Sequence, residues 1–306
     1  MTRPISFGID LGGTKMEIIA LGPDGRELLR RRRPTPRGSY EATLDGMVAL
    51  VLEAEEELGS VGSVGICHPG AISPGNGQIK NANLTWLNGR RFDQDLMDRM
   101  KRPVAFANDA NCLALSEATD GAGAGAPVVF TAILGTGVGG GIVVNGQLLT
   151  GPNAIGGEWG HIPLPATQAD ELPGPACYCG RFGCVETWLS GPALAMDHRQ
   201  RFGADLSAPE IVEKAQTGDH ACDRSMNIYE DRLARALGTI MSILDPDVIV
   251  LAGGLSNASR IYANVPRRWH RYTFSDDIRT RLLPPVHGDS SGVRGAAWLG
   301  RSLADG

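Results

Sequence analysis

The sequence predicts a duplicated α/β fold of two domains with a cleft between the halves. Three observations carry that prediction. A short apolar strand, a glycine turn and a second strand occur in ISFGID, GGTK and MEIIAL near the N-terminus, and the same grammar returns in VVFTAIL, GTGVGGG and IVV after the GAGAGAP linker. A third glycine turn, Ala252-Gly253-Gly254, follows the late apolar strand VIVL. Long helical stripes of apolar residues separate these strands, which is the alternation expected of sheets covered by helices.

Taken in order, GPDG turns MEIIAL into a third strand, ELLRRRR. Ser39 offers an N-cap, and Leu44, Met47, Val48, Val51 and Leu52 recur at helical spacing up to about Leu58. VGSVGIC and VAFAN read as buried parallel strands, each ending where polar residues begin. Beyond the linker, Asn145-Gly146 signals a hairpin before QLL. Leu233, Leu237, Ile240, Met241 and Leu244 form a helical stripe that stops at Asp245-Pro246.

The 306 residues suggest about two domains, and 42% hydrophobic with 21% charged residues is ordinary globular composition. MTRPISFGID contains no apolar signal region, and no run approaches the roughly 18 apolar residues of a membrane span, so a cytoplasmic protein with no membrane partner is expected. A net charge of -5 argues against a nucleic-acid partner. Arg30 to Arg33 stand consecutively, but no aromatic residue interleaves them. In a strand they alternate between faces, some solvated and others paired with acids.

CYCGRFGC places Cys177, Cys179 and Cys184 within eight positions, and His161 ends the upstream GGEWGH. Three thiolates and one imidazole make a closed tetrahedral zinc set, favoured in a reducing compartment over a disulfide or plain buried thiols. Cys67, Cys112 and Cys222 are scattered and read as packed thiols. The glycine turns let backbone N–H groups approach phosphate oxygens and so suggest a nucleotide. GTGVGG matches G-x-G-x-x-G, but a dinucleotide fingerprint needs a helix next, and IVVNG is a β-branched run with a hairpin signal. The G-x-x-x-x-G-K-[ST] phosphate loop is missing from the sequence.

DLGGTK, NDANC, LGTGVGGG, GEWGH, CYCGRFGC and VIVLAGG, in this order along nearly the whole chain, resemble the ROK family of sugar kinases and repressors. The resemblance implies the actin-like ATPase (ribonuclease H-like) α/β fold, with an interdomain cleft and a zinc-braced loop. The expected domains are 1–118 plus 290–306, and 119–289. By the same resemblance Asp109 is the catalytic base and Asp10 contacts Mg2+ through water. Gly12, Gly13, Thr14, Lys15, Gly135, Thr136 and Gly137 surround the ATP phosphates, and Gly253 and Gly254 lie under the adenosine. Asn83, Asn108, Asp109, Glu158, His161 and Glu186 bind the sugar, with Zn2+ on His161, Cys177, Cys179 and Cys184 bracing Glu158 and Glu186. The second ring nitrogen of His161 is then available to a sugar hydroxyl. Asp109 alternatively reads as a helix N-cap, Asp10 as a turn residue and Glu186 as a solvated helix-start acid.

IKNANLTWLNG and HGDSSGVRGAAWL look most like bacterial ROK fructokinases, so the expected reaction is phosphorylation of the 6-hydroxyl of D-fructose, or of D-mannose, by MgATP. Trp86 could wall that pocket or pack in a core. Glucokinase and N-acetylglucosamine kinase are the alternatives within the family, and a sugar-responsive regulator or inactive sensor is the alternative outside catalysis. Family repressors carry a helix-turn-helix ahead of the body, for which a phosphate turn at Asp10 leaves no room. The resemblance also implies a homodimer. Cys67-His68-Pro69-Gly70 departs from the family, whose members commonly have an apolar residue before Pro-Gly, and His68 reads as a packed or solvated loop residue.

Overall fold

The computed structural model describes residues 5–305; residues 1–4 and 306, assigned above to the first domain, lie outside it. In chain order the strands are Ser6–Leu11 (β1), Lys15–Leu21 (β2), Glu27–Pro34 (β3), Ser63–His68 (β4), Ala71–Ile72 (β5), Ile79–Lys80 (β6), Ala105–Asn108 (β7), Val128–Leu134 (β8), Val138–Val144 (β9), Gln147–Leu148 (β10), Val248–Ala252 (β11) and Arg281–Leu283 (β12). The helices are Tyr40–Leu58 (α1), Phe92–Met100 (α2), Asp109–Thr119 (α3), Glu186–Leu189 (α4), Gly191–Phe202 (α5), Ala208–Gln216 (α6), His220–Leu244 (α7), Arg260–Asn264 (α8) and Ser291–Asp305 (α9). The chain divides into two compact units, one of residues 1–124, 146–156 and 287–306 and one of residues 125–145 and 157–286.

The first unit is built on a sheet in the order β3-β2-β1-β4-β7. β3, β2 and β1 run antiparallel as successive hairpins, and β1, β4 and β7 run parallel. Phe7, Ile9, Ile18, Leu44, Met47, Leu50, Ile66 and Phe92 fill the core between this sheet and α1 and α2. Ser39 caps α1 as expected, accepting from the Ala42 N–H at 3.2 Å, and Gly59 ends it in the left-handed region. The arginine run lies on β3 with its residues alternating: Arg30 and Arg32 pair with Glu17, whereas Arg31 and Arg33 pair with Glu53 on α1. Those pairs occupy the run's charge within the fold.

The opposite face of the sheet is covered by α9, which returns from the far end of the chain. It comes so close that a Cβ on Gly8 would lie 2.2 Å from the Val293 carbonyl oxygen, and one on Gly65 would lie 1.9 Å from that of Ala296. Only glycine permits this helix-to-strand approach.

The second unit repeats the plan. β9 and β8 form an antiparallel hairpin, and β8, β11 and β12 run parallel, matching β2, β1, β4 and β7 in the first. Its core joins Phe130, Leu134, Trp159, Trp188, Tyr229, Leu233, Leu237 and Trp269. Here the expectation of a long glycine turn is corrected. The turn spans only residues 135–137, and the glycines from 139 to 141 belong to β9. Gly140 is required by packing, since a Cβ there would meet the Trp159 ring at 2.9 Å and the Thr131 carbonyl oxygen at 2.6 Å. The stripe from Leu233 to Leu244 lies in the second half of α7, which begins at His220, capped by Asp219 and buried through Cys222, Met226 and Tyr229. Among the described residues, no helix is long and apolar enough to cross a membrane.

Candidate functional site

In the first unit, the parallel register puts Asp10 level with Cys67, and His68 level with Asn108. The polar ends of β1, β4 and β7 therefore lie side by side at their carboxyl edge, where open α/β sheets bind ligands. Asn108 and Asp109 share the start of α3. The N-cap is Asn108, whose Oδ1 accepts from the Asn111 N–H at 2.9 Å. Asp109 is therefore not the cap. It stands exposed in the first turn, with Oδ1 accepting only from its neighbour's Ala110 N–H at 2.9 Å.

Asp10 is buried more deeply. Its carboxyl is held above the usual value by burial, opposed by a hydrogen bond from Cys67 and reinforced by the negative charges of Asp109 and Glu17. A half-buried acid whose proton is held by burial and by a second acid's charge is a place where a divalent cation would replace that proton, so the residues fit Mg2+. The turn that follows closes through Gly12 N–H to the Lys15 carbonyl at 3.0 Å, and Thr35 Oγ1 donates to the Gly12 carbonyl at 2.7 Å. Space beside Gly13 is open, since a Cβ there would meet nothing within 4 Å. Asn83 is exposed in the loop after β6, and that loop is pinned by Asn88, which both accepts from and donates to the Ala82 backbone at 2.9 and 3.0 Å.

His68 is a strand residue, 2% exposed, packed edge-on to Phe92 at 5.8 Å between ring centroids. It is thus the packed alternative of the two expected. Burial pushes its imidazole below the usual value, against a hydrogen bond to the Pro69 carbonyl and the charges of Asp109 and Asp93. Cys67, Cys112 and Cys222 are buried thiols.

In the second unit the turn at 135–137 is bordered by two of the other predicted groups. Gly253, at φ 82°, lies so near that a Cβ on it would come within 2.6 Å of the Leu134 carbonyl. Glu186 opens α4, and its Oε2 accepts from the Val138 N–H at 2.9 Å. A Cβ on Gly137 would meet that same oxygen at 2.7 Å, so a larger residue there would displace the Glu186 carboxylate from the Val138 N–H. Gly254 faces open space. Glu158 is exposed and precedes a single 3-10 turn, Trp159–His161, that packs on β9 through Trp159 Nε1 donating to the Gly139 carbonyl at 2.6 Å.

That turn delivers His161 to the cysteines. Cys177 and Cys184 flank a tight knuckle closed by Cys177 N–H to the Arg181 carbonyl at 2.8 Å, with Gly180 at φ 86°. The four ligand atoms of His161, Cys177, Cys179 and Cys184 lie within 4.8 Å of one another. Cys177 Sγ is 3.5 Å from His161 Nδ1, and the Cys179 and Cys184 sulfurs are 3.6 Å apart and unbonded. Zn–S bonds of about 2.3 Å in a tetrahedron place ligand atoms roughly 3.5 to 3.8 Å apart, so the donor set and its spacing fit zinc. Arg181, whose Nε donates to Cys179 Sγ at 3.5 Å, holds that thiol down to about 6. Nε2 of His161 meets the hydroxyl of Tyr178 at 2.8 Å. The nitrogen expected to face a sugar hydroxyl thus has a phenol as its partner, a residue that spacing alone did not single out.

A family model described as the ROK family matches residues 6–302. The chain belongs to the ROK family. This ROK chain is 42% identical over 300 residues to an Escherichia coli protein named N-acetyl-D-glucosamine kinase, covering 96% of this chain and 98% of the relative. Among solved structures it is similar to the ROK hexokinase from Thermus thermophilus, with a TM-score of 0.88 at 31% identity over 99% of this chain and 100% of that one. It is also similar to a ROK family glucokinase from Streptomyces griseus in complex with glucose and AMPPNP, with a TM-score of 0.74 at 28% identity over 97% and 99%. The fold is the actin-like two-domain α/β fold that the family resemblance implied, and the repeated strand grammar had pointed to its duplication.

Of the predicted residues, the structure brings Asp10, the 12–15 turn, Asn108 and Asp109 together in the first unit of this ROK chain, around the ends of β1 and β7. In the second it brings Glu186 and Gly253 against the 135–137 turn, and His161 against the three cysteines. Sequence reasoning missed Glu171, Arg232 and Arg235, three buried charges beside the cysteine loop. The signal was present: a pair of arginines at a spacing of three inside the apolar stripe of α7 demands a buried acid.

Proposed function

We propose that this chain is a ROK sugar kinase that transfers the γ-phosphoryl group of MgATP to the 6-hydroxyl of N-acetyl-D-glucosamine. The observation that carries the reaction is Asp109, an exposed carboxylate released from capping by Asn108 and close enough to half-buried Asp10 for its charge to add to burial in raising that carboxyl. Asp109 accepts the proton of the sugar 6-hydroxyl as its oxygen attacks the γ-phosphorus, and ADP departs with its own oxygen. Mg2+ when bound neutralises phosphate charge, and Asp10 is the residue to hold it through water. The N–H groups at 12–15 and 135–137 face the phosphates, with Gly253 and Gly254 under the adenosine. The carboxylates of Glu158 and Glu186 accept from sugar hydroxyls, the amides of Asn83 and Asn108 accept or donate, and His161 reaches a hydroxyl through Nε2 only where the sugar takes the place of the Tyr178 hydroxyl. Zinc on His161, Cys177, Cys179 and Cys184 supplies a rigid anchor, not a reactive centre, between Glu158 and Glu186.

For the sugar, support comes from relatives named N-acetyl-D-glucosamine kinase at 40% and 42% identity over nearly the whole chain. The earlier expectation of D-fructose rests on Asn83-Leu84-Thr85-Trp86 and is the second reading. It is weakened by Trp86, whose indole packs against the first core and donates to Thr43 Oγ1 at 3.2 Å rather than walling a pocket. ADP release by the purified chain with MgATP tests the proposal, using N-acetylglucosamine, glucose, fructose and mannose side by side. N-acetylglucosamine is expected to give the highest kcat/KM. Fructose exceeding it tenfold would restore the fructokinase reading, and no release above the sugar-free background with any hexose would remove the kinase.

A further inference from the structure

Three charged side chains of the second unit are buried together outside the residues that bind substrate or metal in the reading above. Glu171 is 4% exposed, Arg232 2% and Arg235 3%. Glu171 lies midway in the irregular segment that runs from His161 to Cys177, and its Oε2 accepts from the Gln168 N–H at 2.9 Å, closing a 3-10 turn on itself. Its Oε1 accepts from Arg232 Nε at 2.8 Å and from an Arg235 Nη at 2.7 Å, and its Oε2 accepts from the other Arg235 Nη at 2.7 Å. Arg235 also donates to the Ala166 carbonyl at 2.9 Å, so one guanidinium holds the segment at two points.

The same helix face reaches α4. Tyr229, Arg232 and Arg235 follow each other at a spacing of three on α7, which aligns them along one side. Tyr229 donates its hydroxyl to the Leu189 carbonyl at 2.9 Å, and the Arg232 guanidinium lies over the Trp188 ring at 4.2 Å, two residues after Glu186. Asp197 on α5, 3.2 Å from Arg232, and Asp231, 3.2 Å from Arg235, extend the cluster, and Arg201 pairs with Asp197 in turn at 3.1 Å. Burial pushes the Glu171 carboxyl up, but the hydrogen bonds from Arg235 and Arg232 outweigh it and hold the group at about 2. The ion cluster therefore keeps its charges throughout the ordinary pH range.

Desolvating such a cluster costs about as much as its pairing returns, and packed apolar side chains would hold a core equally well. Its distinctive contribution is directional. Planar guanidinium groups with fixed donors leave the segment one geometry, where an apolar contact would permit several. We propose that Glu171, Arg232 and Arg235 are positioning residues that fix the segment between His161 and Cys177 and the start of α4, and so set the affinity for sugar without entering phosphoryl transfer. This rests on the reading of Glu186 and the 158–161 turn as sugar ligands.

Arg232→Lys tests it, since it keeps the charge and removes both the fork and the flat face over Trp188. Glu171→Gln, nearly isosteric, is measured alongside. Outer partners that orient binding groups are commonly worth about 10- to 100-fold. The KM for N-acetylglucosamine is accordingly expected to rise at least about tenfold while kcat at saturation and the KM for ATP stay within about threefold. Amide hydrogen exchange across residues 162–188 is expected to accelerate, with the rest of α7 and the sheet unchanged. A folded variant with wild-type sugar KM and wild-type exchange in that segment overturns the proposal. So does a parallel fall in kcat and in affinity for both substrates, which marks a purely structural role. Faster exchange in a chain whose wild type phosphorylates no sugar would keep the clamp and remove the functional reading instead.

Discussion

Asn108 and Asp109 are adjacent, both polar and both at a helix start, yet they do different things. Asn108 carries the cap through its Oδ1, so its loss to alanine is expected to cost about 1 kcal/mol of stability besides the sugar contact proposed for its amide. Asp109 carries no cap, so Asp109→Asn is expected to leave thermal stability and sugar binding nearly unchanged while kcat falls by about 10²- to 10⁴-fold, the usual weight of a general base. Steady-state turnover alongside a melting curve checks this, and near wild-type kcat would remove the assignment. Asp10 gives a pH-dependent counterpart. Burial raises its folded value above the unfolded one, so the folded chain binds the proton more tightly and stability falls as pH rises through the folded value. Asp10→Asn removes that penalty. It is expected to raise the melting temperature of the ligand-free chain at pH 7.5, with the gain over wild type shrinking as pH falls and vanishing below the ordinary aspartate value, where the carboxyl is protonated in the folded and the unfolded chain alike. The same variant should lose turnover through its missing Mg2+ contact. A melting temperature lowered by Asp10→Asn at pH 7.5 would contradict the electrostatic account.

At the scale of elements, the cysteine knuckle and the glycine strand β9 explain each other's composition. The 157–161 turn presents His161 only because it lies flat on β9, where Gly140 makes room for Trp159, and a Cβ on Gly160 would come within 2.0 Å of the Val138 carbonyl. GVGGG and GEWGH are thus one packing unit, which is why both were visible as motifs while the reason for them was not. The knuckle itself was legible because ligand type and spacing are set by the metal's own geometry. Tyr178 was not, since it does not follow from spacing along the chain, and for Glu171 the arginine pair on α7 called for a buried acid without saying which one. One zinc per chain is expected by elemental analysis, and Cys184→Ala should abolish it. Structural zinc is worth on the order of 10 kcal/mol in small domains that depend on it for folding. Here the second core holds its own apolar cluster, so the expected result is loosening of residues 162–186, a weakened sugar KM and a lowered melting temperature without global unfolding. Fully active wild-type protein that contains no zinc and does not respond to chelation would refute the site.

Over the whole molecule, the repeated strand, glycine turn, strand grammar disclosed the duplicated fold because hairpins and buried parallel strands write themselves locally as apolar runs and turns. The choice of sugar stayed hidden for the opposite reason. Phosphate turns and a cysteine knuckle name no particular hexose, and the residues proposed above to meet the sugar, such as Asn83 and Glu158, are exposed groups whose spacing carries no chemistry of its own. The route of the chain has a similar character. It begins the first unit, builds the second with one excursion back at 146–156, and then returns through α9 to finish the first, a long-range closure that no local pattern announces. The closing helix is integral rather than decorative. Val293, Ala296 and Ala297 are buried, Gly295 approaches α3 so closely that a Cβ would lie 1.7 Å from the Cys112 carbonyl, and Arg301 donates to the Gly22 carbonyl at 2.6 Å and to Ser6 Oγ at 3.1 Å. Ending the chain before Ser291 would strip one face of the β1, β2, β4 sheet and leave Glu117 without the Ser291 hydroxyl that donates to it at 2.9 Å. Truncation there is expected to give aggregated protein or a first unit lacking fixed side-chain packing, while the second unit, whose core contains no residue of α9, keeps its own cooperative unfolding. Solubility, near-ultraviolet circular dichroism and hydrogen exchange resolved by unit measure this. A soluble truncated chain with wild-type exchange protection in β1 and β4 would show that α9 is not needed to hold the first sheet together.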